Sequence, residues 1–154
     1  MPSFKNSRHV AFRPKDMFDL VADVEAYPQF LPMCLDLRVL RRTPIDAGEV
    51  IIASMSVGYK AIRESFTSRV TLDPHTPAIK VEYIDGPFQS LINHWGFRDD
   101  GQGGCHVDFD IAYEFKSRTL GLVMGAMFDA AFRRFSDAFV ARAQEIYGTR
   151  TTEP

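Results

Sequence analysis

The chain has 154 residues, 45% hydrophobic and 25% charged, with a formal net charge of −2. This suits one domain with a substantial core and argues against a general affinity for nucleic acid, so DNA is not an expected partner. No apolar run approaches the ~18 residues of a spanning helix, residues 1–10 lack a signal-peptide core, and Cys34 and Cys105 stand apart from each other and from any metal-ligand spacing. A reduced, cytoplasmic setting is expected, with membrane contact only at the inner face and only peripheral.

Residues 3–12 alternate, with Phe4, Val10 and Phe12 on one parity, and read as a first strand. Pro14 suits a first helical position, and residues 16–24 form a short helix carrying Met17, Phe18, Leu20 and Val21. Residues 25–32, with two prolines and three large apolar side chains, make a second, very short helix. From Cys34 to Phe115 the period becomes two. Leu35, Leu37 and Val39 alternate with Asp36 and Arg38, and residues 43–48 turn. Residues 49–57 and 59–72 read as strands around Gly58. In the second of these, Ile62, Glu64, Phe66, Ser68 and Val70 share a face. Ile79, Val81 and Tyr83 form the next apolar face, and Leu91, Trp95 and Phe97 the one after. A glycine-rich loop at 99–104 leads into the cleanest alternation of the chain. There Cys105, Val107, Phe109, Ile111, Tyr113 and Phe115 oppose His106, Asp108, Asp110 and Glu114.

Residues 119–147 change period again. At 100° per residue Met124, Phe128, Ala131, Phe135, Ala138, Phe139 and Ile146 fall on one face, with Asp129, Arg133, Ser136, Asp137 and Gln144 opposite. Thr119 suits the N-cap and Gly148 a left-handed C-cap. The whole order predicts an α+β fold. A curved antiparallel meander with one apolar face wraps around the long C-terminal helix, a helix-grip arrangement with two short helices after the first strand. Residues 1–148 read as a single domain and 149–154 as a flexible tail.

No phosphate loop, dinucleotide fingerprint, zinc-protease motif or nucleophile elbow is present. His9, His94 and His106 lie on polar strand parities and His75 in a turn, so all four read as surface residues. Asp108, Asp110 and Glu114 share an outward face and read as solvated. Glu64 and Arg142 depart from the pattern by lying on apolar faces. They are either a structural ion pair, a snorkelling arginine in the case of Arg142, or polar groups at a cavity. Residues 120–124, just after Lys116 and Arg118, are either the start of the core helix or an apolar lip able to touch an anionic membrane, with Gly121 and Gly125 giving freedom.

The run Leu20-Val21-x-Asp23-Val24-Glu25-x-Tyr27-Pro28-x-Phe30-Leu31-Pro32-x-Cys34 resembles the signature of the coenzyme Q-binding protein family, a branch of the START-like, polyketide cyclase/dehydrase superfamily. Gly86-Pro87-Phe88, then Leu91 and Trp95-x-Phe97, is similar to that family's second block. The resemblance runs from about Ser3 to Gly148. It implies a helix-grip fold with a hydrophobic tunnel between sheet and helix. It implies non-enzymatic binding of ubiquinone or a related polyprenyl lipid in support of respiratory electron transfer, with ubiquinone as bound ligand and no other cofactor. The same family includes ribosome-associating toxins that block subunit joining, which makes the ribosome the alternative partner, against which the acidic balance weighs mildly. An aromatase or cyclase acting on a bound polyketide is the third reading.

The residue pattern itself supports a lipid cavity. Met55, Ile62, Phe66, Tyr83, Leu91, Trp95, Phe109 and Tyr113 face the same side as Met124, Met127, Phe128, Ala131 and Phe135 of the helix. Methionines there can repack around an irregular guest. Phe30 and Leu31 close one side, and Glu64 is the one candidate acid in the cavity. No metal site is expected.

Overall fold

The computed structural model describes residues 3–59 and 61–151. β1 (Ser3–Val10) leads to α1 (Pro14–Ala22) and a 3₁₀ helix (Val24–Gln29). The meander follows: β2 (Cys34–Ile45), β3 (Gly48–Tyr59), β4 (Ile62–Asp73), β5 (Ala78–Asp85), β6 (Phe88–Asp99) and β7 (Cys105–Phe115). α2 (Arg118–Thr151) closes the chain. The seven strands form one antiparallel sheet in the order β1-β7-β6-β5-β4-β3-β2. The meander is therefore read out in sequence, and only β1 crosses over, to pair with β7 from Ser3↔Ala112 to Val10↔Cys105.

Alternation produces this sheet and gives it two unlike faces. In β7 every odd residue from Cys105 to Tyr113 is buried, while the even ones from His106 to Ala112 are partly exposed. The buried face is covered along its length by α2. The helix is tied to β1 by an Arg8–Asp137 ion pair and by the Arg133 guanidinium 4.8 Å from the Phe4 ring. Its far end meets α1, where the Tyr147 hydroxyl donates to the Asp16 carbonyl at 3.1 Å. α1 begins at Pro14, with Asp16 in its first turn, and turns Met17, Phe18, Leu20 and Val21 into the core.

Several details differ from the sequence reading, each for a local reason. The Ser117 hydroxyl, not Thr119, caps α2, accepting from the Leu120 N–H at 3.1 Å. The helix does not stop at Gly148 but continues to Thr151, so residues 149–151 are helical rather than tail. Residues 152–154 lie outside the described residues. At 34 residues α2 spans about 50 Å. Gly58 does not turn the chain. It lies inside β3, where a Cβ would stand 2.6 Å from the Leu35 Cδ1. Leu35 is there because the β2–β3 register skips it, passing from Cys34↔Val57 to Asp36↔Ser56. This bulge sends Leu35 to the surface and leaves Cys34 and Leu37 buried, breaking the alternation read from the sequence. On α2, Ser136 is buried although the helical wheel placed it outside, and Ile146 is exposed although it was placed inside. A helix crossing a curved sheet changes its contact face along its length, which a single wheel does not capture.

Candidate functional site

Across the middle of the concave face the strands carry short side chains. Register aligns Ala53 with Ser68 and Val70 with Val81, and Val81 in turn with Asn93 and Asn93 with Ile111. Around them stand larger groups, Met55 and Phe66 on one side and Leu91 and Trp95 on the other. Phe132, Phe135 and Phe139 of α2 form the roof, and Val24 and Tyr27 of the 3₁₀ helix close an end. Short residues below a wide aromatic roof do not meet it, and a cavity of about 70 Å³ remains. Its lining is almost wholly apolar.

The polar groups in that lining are few and buried. Asn93 spans two bonds: its Nδ2 donates to the Asp110 carbonyl at 2.8 Å and its Oδ1 accepts from the Trp95 indole N–H at 3.0 Å. That bond fixes the Trp95 ring, which meets Phe109 at 4.7 Å and Phe139 at 5.0 Å between centroids. The Tyr27 hydroxyl donates to the Val21 carbonyl, and burial pushes its pKa far up. Ser68 Oγ has no hydrogen-bond partner among the described residues. Neither Asn93 nor Ser68 was singled out from the sequence. The signal was present, since both sit on the apolar parity of their strands.

Beside the cavity the same face is solid. Phe88 is fully buried and surrounded by the rings of Phe66, Tyr83, Tyr113, Phe115 and Phe128 at 5.0–5.9 Å. The Phe88 N–H donates to the Tyr83 hydroxyl at 3.1 Å. Gly86, with φ +143°, makes the turn into β6. A Cβ there would lie 2.6 Å from the Phe66 Cβ. Burial raises the Tyr113 pKa to about 12. It likewise raises the thiols of Cys34 and Cys105 to about 11, which makes both poor nucleophiles near neutrality.

The residues selected from the sequence divide among several places. Met55, Phe66, Leu91, Trp95 and Phe135 line the cavity. Phe109 packs behind Trp95. Tyr83, Tyr113 and Phe128 belong to the aromatic cluster, and Met124, Ala131 and Leu31 are buried in the core without reaching the cavity. Phe30 lies further out, its ring 5.1 Å from Phe139 and beneath the Arg142 guanidinium at 5.2 Å. Ile62 and Met127 line a separate, open groove with Met33, Val123, Ala126, Ala130 and Arg134. Met33 holds a φ of +66° there, its carbonyl accepting from the Gly58 N–H at 2.9 Å. Glu64 is half-buried opposite Val57 in the register and lines neither space. Arg142 does not pair with it. Arg142 donates to Gln29 Oε1 at 2.9 Å and lies 3.5 Å from Glu145, bridging α2 to the 3₁₀ helix.

The outer face carries its own pairs. His9 Nε2 lies 2.6 Å from Asp100, His94 Nδ1 lies 3.1 Å from Asp110, and Arg98 holds Asp108 in two hydrogen bonds. Among the described residues no cluster of three or more potential metal ligands occurs, and no helix is long and apolar enough to cross a membrane. Leu122 and Val123 are 81% and 58% exposed near the start of α2.

Comparison with known proteins agrees with this architecture. The ribosome association toxin RatA of Escherichia coli K12 is 34% identical over 150 residues, covering 97% of this chain and 92% of that one. The mitochondrial coenzyme Q-binding protein coq10 of Schizosaccharomyces pombe is 26% identical over 142 residues, covering 92% and 86%. The solution structure of an 18 kDa protein of Caulobacter crescentus superposes with a TM-score of 0.77 at 33% identity, covering 96% and 99%. Residues 10–140 match the family described as polyketide cyclase/dehydrase and lipid transport, and the chain, with its helix-grip sheet and long C-terminal helix, belongs to that START-like family.

Proposed function

We propose that this protein binds ubiquinone or a related polyprenyl lipid between its concave sheet and α2, and carries or presents it without chemical change. The observation that carries this reading is the patch of short side chains, from Ala53 to Asn93, beneath the phenylalanine roof. A domain with no use for an internal space would fill it. Burying apolar tail there contributes ~25 cal/mol per Å² without special polar chemistry. The name of the coq10 relative, a coenzyme Q-binding protein, points the same way. The cavity lining holds hydroxyl, amide and indole groups but no carboxylate or histidine. That favours binding over an acid–base reaction of the cyclase type.

At about 70 Å³ the space takes two waters at ~30 Å³ each, whereas ligand sites run to ~300 Å³ or more. A lipid must therefore part α2 from the sheet or from the 3₁₀ helix. Exposed Leu122 and Val123, with Lys116 and Arg118 alongside, suit transfer at the cytoplasmic face of an anionic membrane.

Purification from the native host, solvent extraction and mass spectrometry test the reading. A near-stoichiometric quinone is the expected result. A protein that stays empty even after quinone is added would overturn it. The 34% identity to RatA across 97% of the chain favours ribosome association as the second reading. Salt-sensitive co-sedimentation with large subunits would then be seen.

A further inference from the structure

The geometry points to Ser68 as the recognition point for an oxygen of the lipid's head group, which places the head at the centre of the concave face between β4 and β6. This deepens the lipid-binding reading and rests on it. Ser68 is 5% exposed and lines the cavity, yet its Oγ has no hydrogen-bond partner among the described residues. Its strand neighbours on that face are Phe66 and Val70, and its cross-strand partner on β3 is Ala53, none of which offers a polar side chain. Its partner on β5 is Tyr83, whose hydroxyl accepts from the Phe88 N–H and makes no hydrogen bond to Ser68. Buried hydroxyls are rarely left unpaired, and valine or alanine would fill the position without that cost.

Asn93 supplies a second donor. It is 8% exposed, and the bonds to Asp110 and Trp95 use its oxygen and one of its two N–H groups. Ser68 and Asn93 stand on strands separated by one other and are two residues out of register, roughly 12 Å apart in the sheet. Two neutral donors rising from the same face on either side of that gap suit a ring with acceptor oxygens on opposite edges. No lysine or arginine lines the cavity, so a carboxylate or phosphate head would be buried without a counter-charge. The head group selected is thus a neutral, carbonyl-bearing ring.

Ser68→Ala tests this. Alanine fits the space and removes only the hydroxyl, so the variant folds with an unchanged or higher melting temperature. The probes are decyl-ubiquinone and decylbenzene, which carries the same tail without ring oxygens. Quinone binding is read from quenching of Trp95, the one tryptophan of the chain, and decylbenzene by competition. The expected result is a fivefold to tenfold loss of affinity for the quinone, the size of one buried hydrogen bond, with decylbenzene unaffected. Equal losses for both probes, or none for the quinone, would overturn the role of Ser68 while leaving lipid binding intact. Failure of the parent protein to bind either probe would remove the lipid reading, and this assignment with it.

Discussion

The aromatic cluster around Phe88 and the cavity around Ser68 share one concave face and one covering helix, yet one is filled and the other is not. The difference lies in side-chain length at aligned register positions. Around Phe88 each neighbouring strand contributes a ring; Phe66, Tyr83, Tyr113 and Phe128 meet it edge to face and Phe115 stacks on it, at 5–6 Å. Around Ser68 the strands contribute Ala53, Val70, Val81 and Asn93, and the roof cannot come down to meet them. The cluster sets how the molecule is held together. The cavity is bounded by short residues such as Ala53 and Val81, which can change with less effect on the fold than the rings of the cluster.

Substitutions on the two sides should therefore separate stability from binding. Phe88→Ala removes the ring at the centre of the cluster and should cost about 3–5 kcal/mol in urea unfolding. A loss below ~1 kcal/mol would show that the cluster is no more than lining. Gly86→Ala forces a Cβ toward Phe66 at a left-handed φ and should cost about 1–3 kcal/mol. Ala53→Val, on the cavity side, should shift stability by less than about 1.5 kcal/mol in either direction. On the proposed reading it should nonetheless weaken decyl-ubiquinone binding at least tenfold, by filling the space assigned to the ring. If Ala53→Val instead destabilises as much as Phe88→Ala, the two regions do not differ in kind.

The smallest effect belongs to the outer face, remote from both. Asp100 is held at a pKa of about 2, first by the hydrogen bond to His9 and then by the N–H groups of Gln102 and Gly104. Its folded value is below the ~3.9 of an unfolded aspartate. The stability it contributes is present above pH ~4 and is lost as pH falls through about 2. Asp100→Asn should flatten the urea midpoint between pH 4 and 2, lowering it modestly at pH 7 and leaving it unchanged near pH 2, where the parent carboxyl is itself protonated. An unchanged slope would show that Asp100 does not govern acid sensitivity.

Much of this was legible in the residues themselves. Alternation marks the strands because a two-residue period on a half-buried sheet admits little else. The long amphipathic stretch marks its cover. Two things escaped. The bulge at Leu35 inserts one residue into β2, and neither composition nor parity distinguishes an extra residue from an ordinary one. The axial position of the cavity escaped for a related reason. Helical periodicity identifies the face of α2 that turns inward but not where along the sheet each turn lands. The cavity was expected beneath residues 124–135; its roof of Phe132, Phe135 and Phe139 overlaps the end of that span and reaches one turn beyond it. Large side chains drew attention as walls. The absence of large side chains at Ala53, Ser68 and Val81 was the more informative clue.

The strand order has a consequence for how the chain assembles during synthesis. β2 to β6 can pair in turn as they emerge, each with the strand just made. β1 cannot: its partner β7 follows about a hundred residues later, and α2 later still. Until then the first strand has nothing to pair with, and the inner face of the meander is uncovered. Closure of the loop between the two ends is the slow, non-local step. A nascent chain halted before β7 would expose apolar surface and an unpaired strand, and would be a natural client for chaperones.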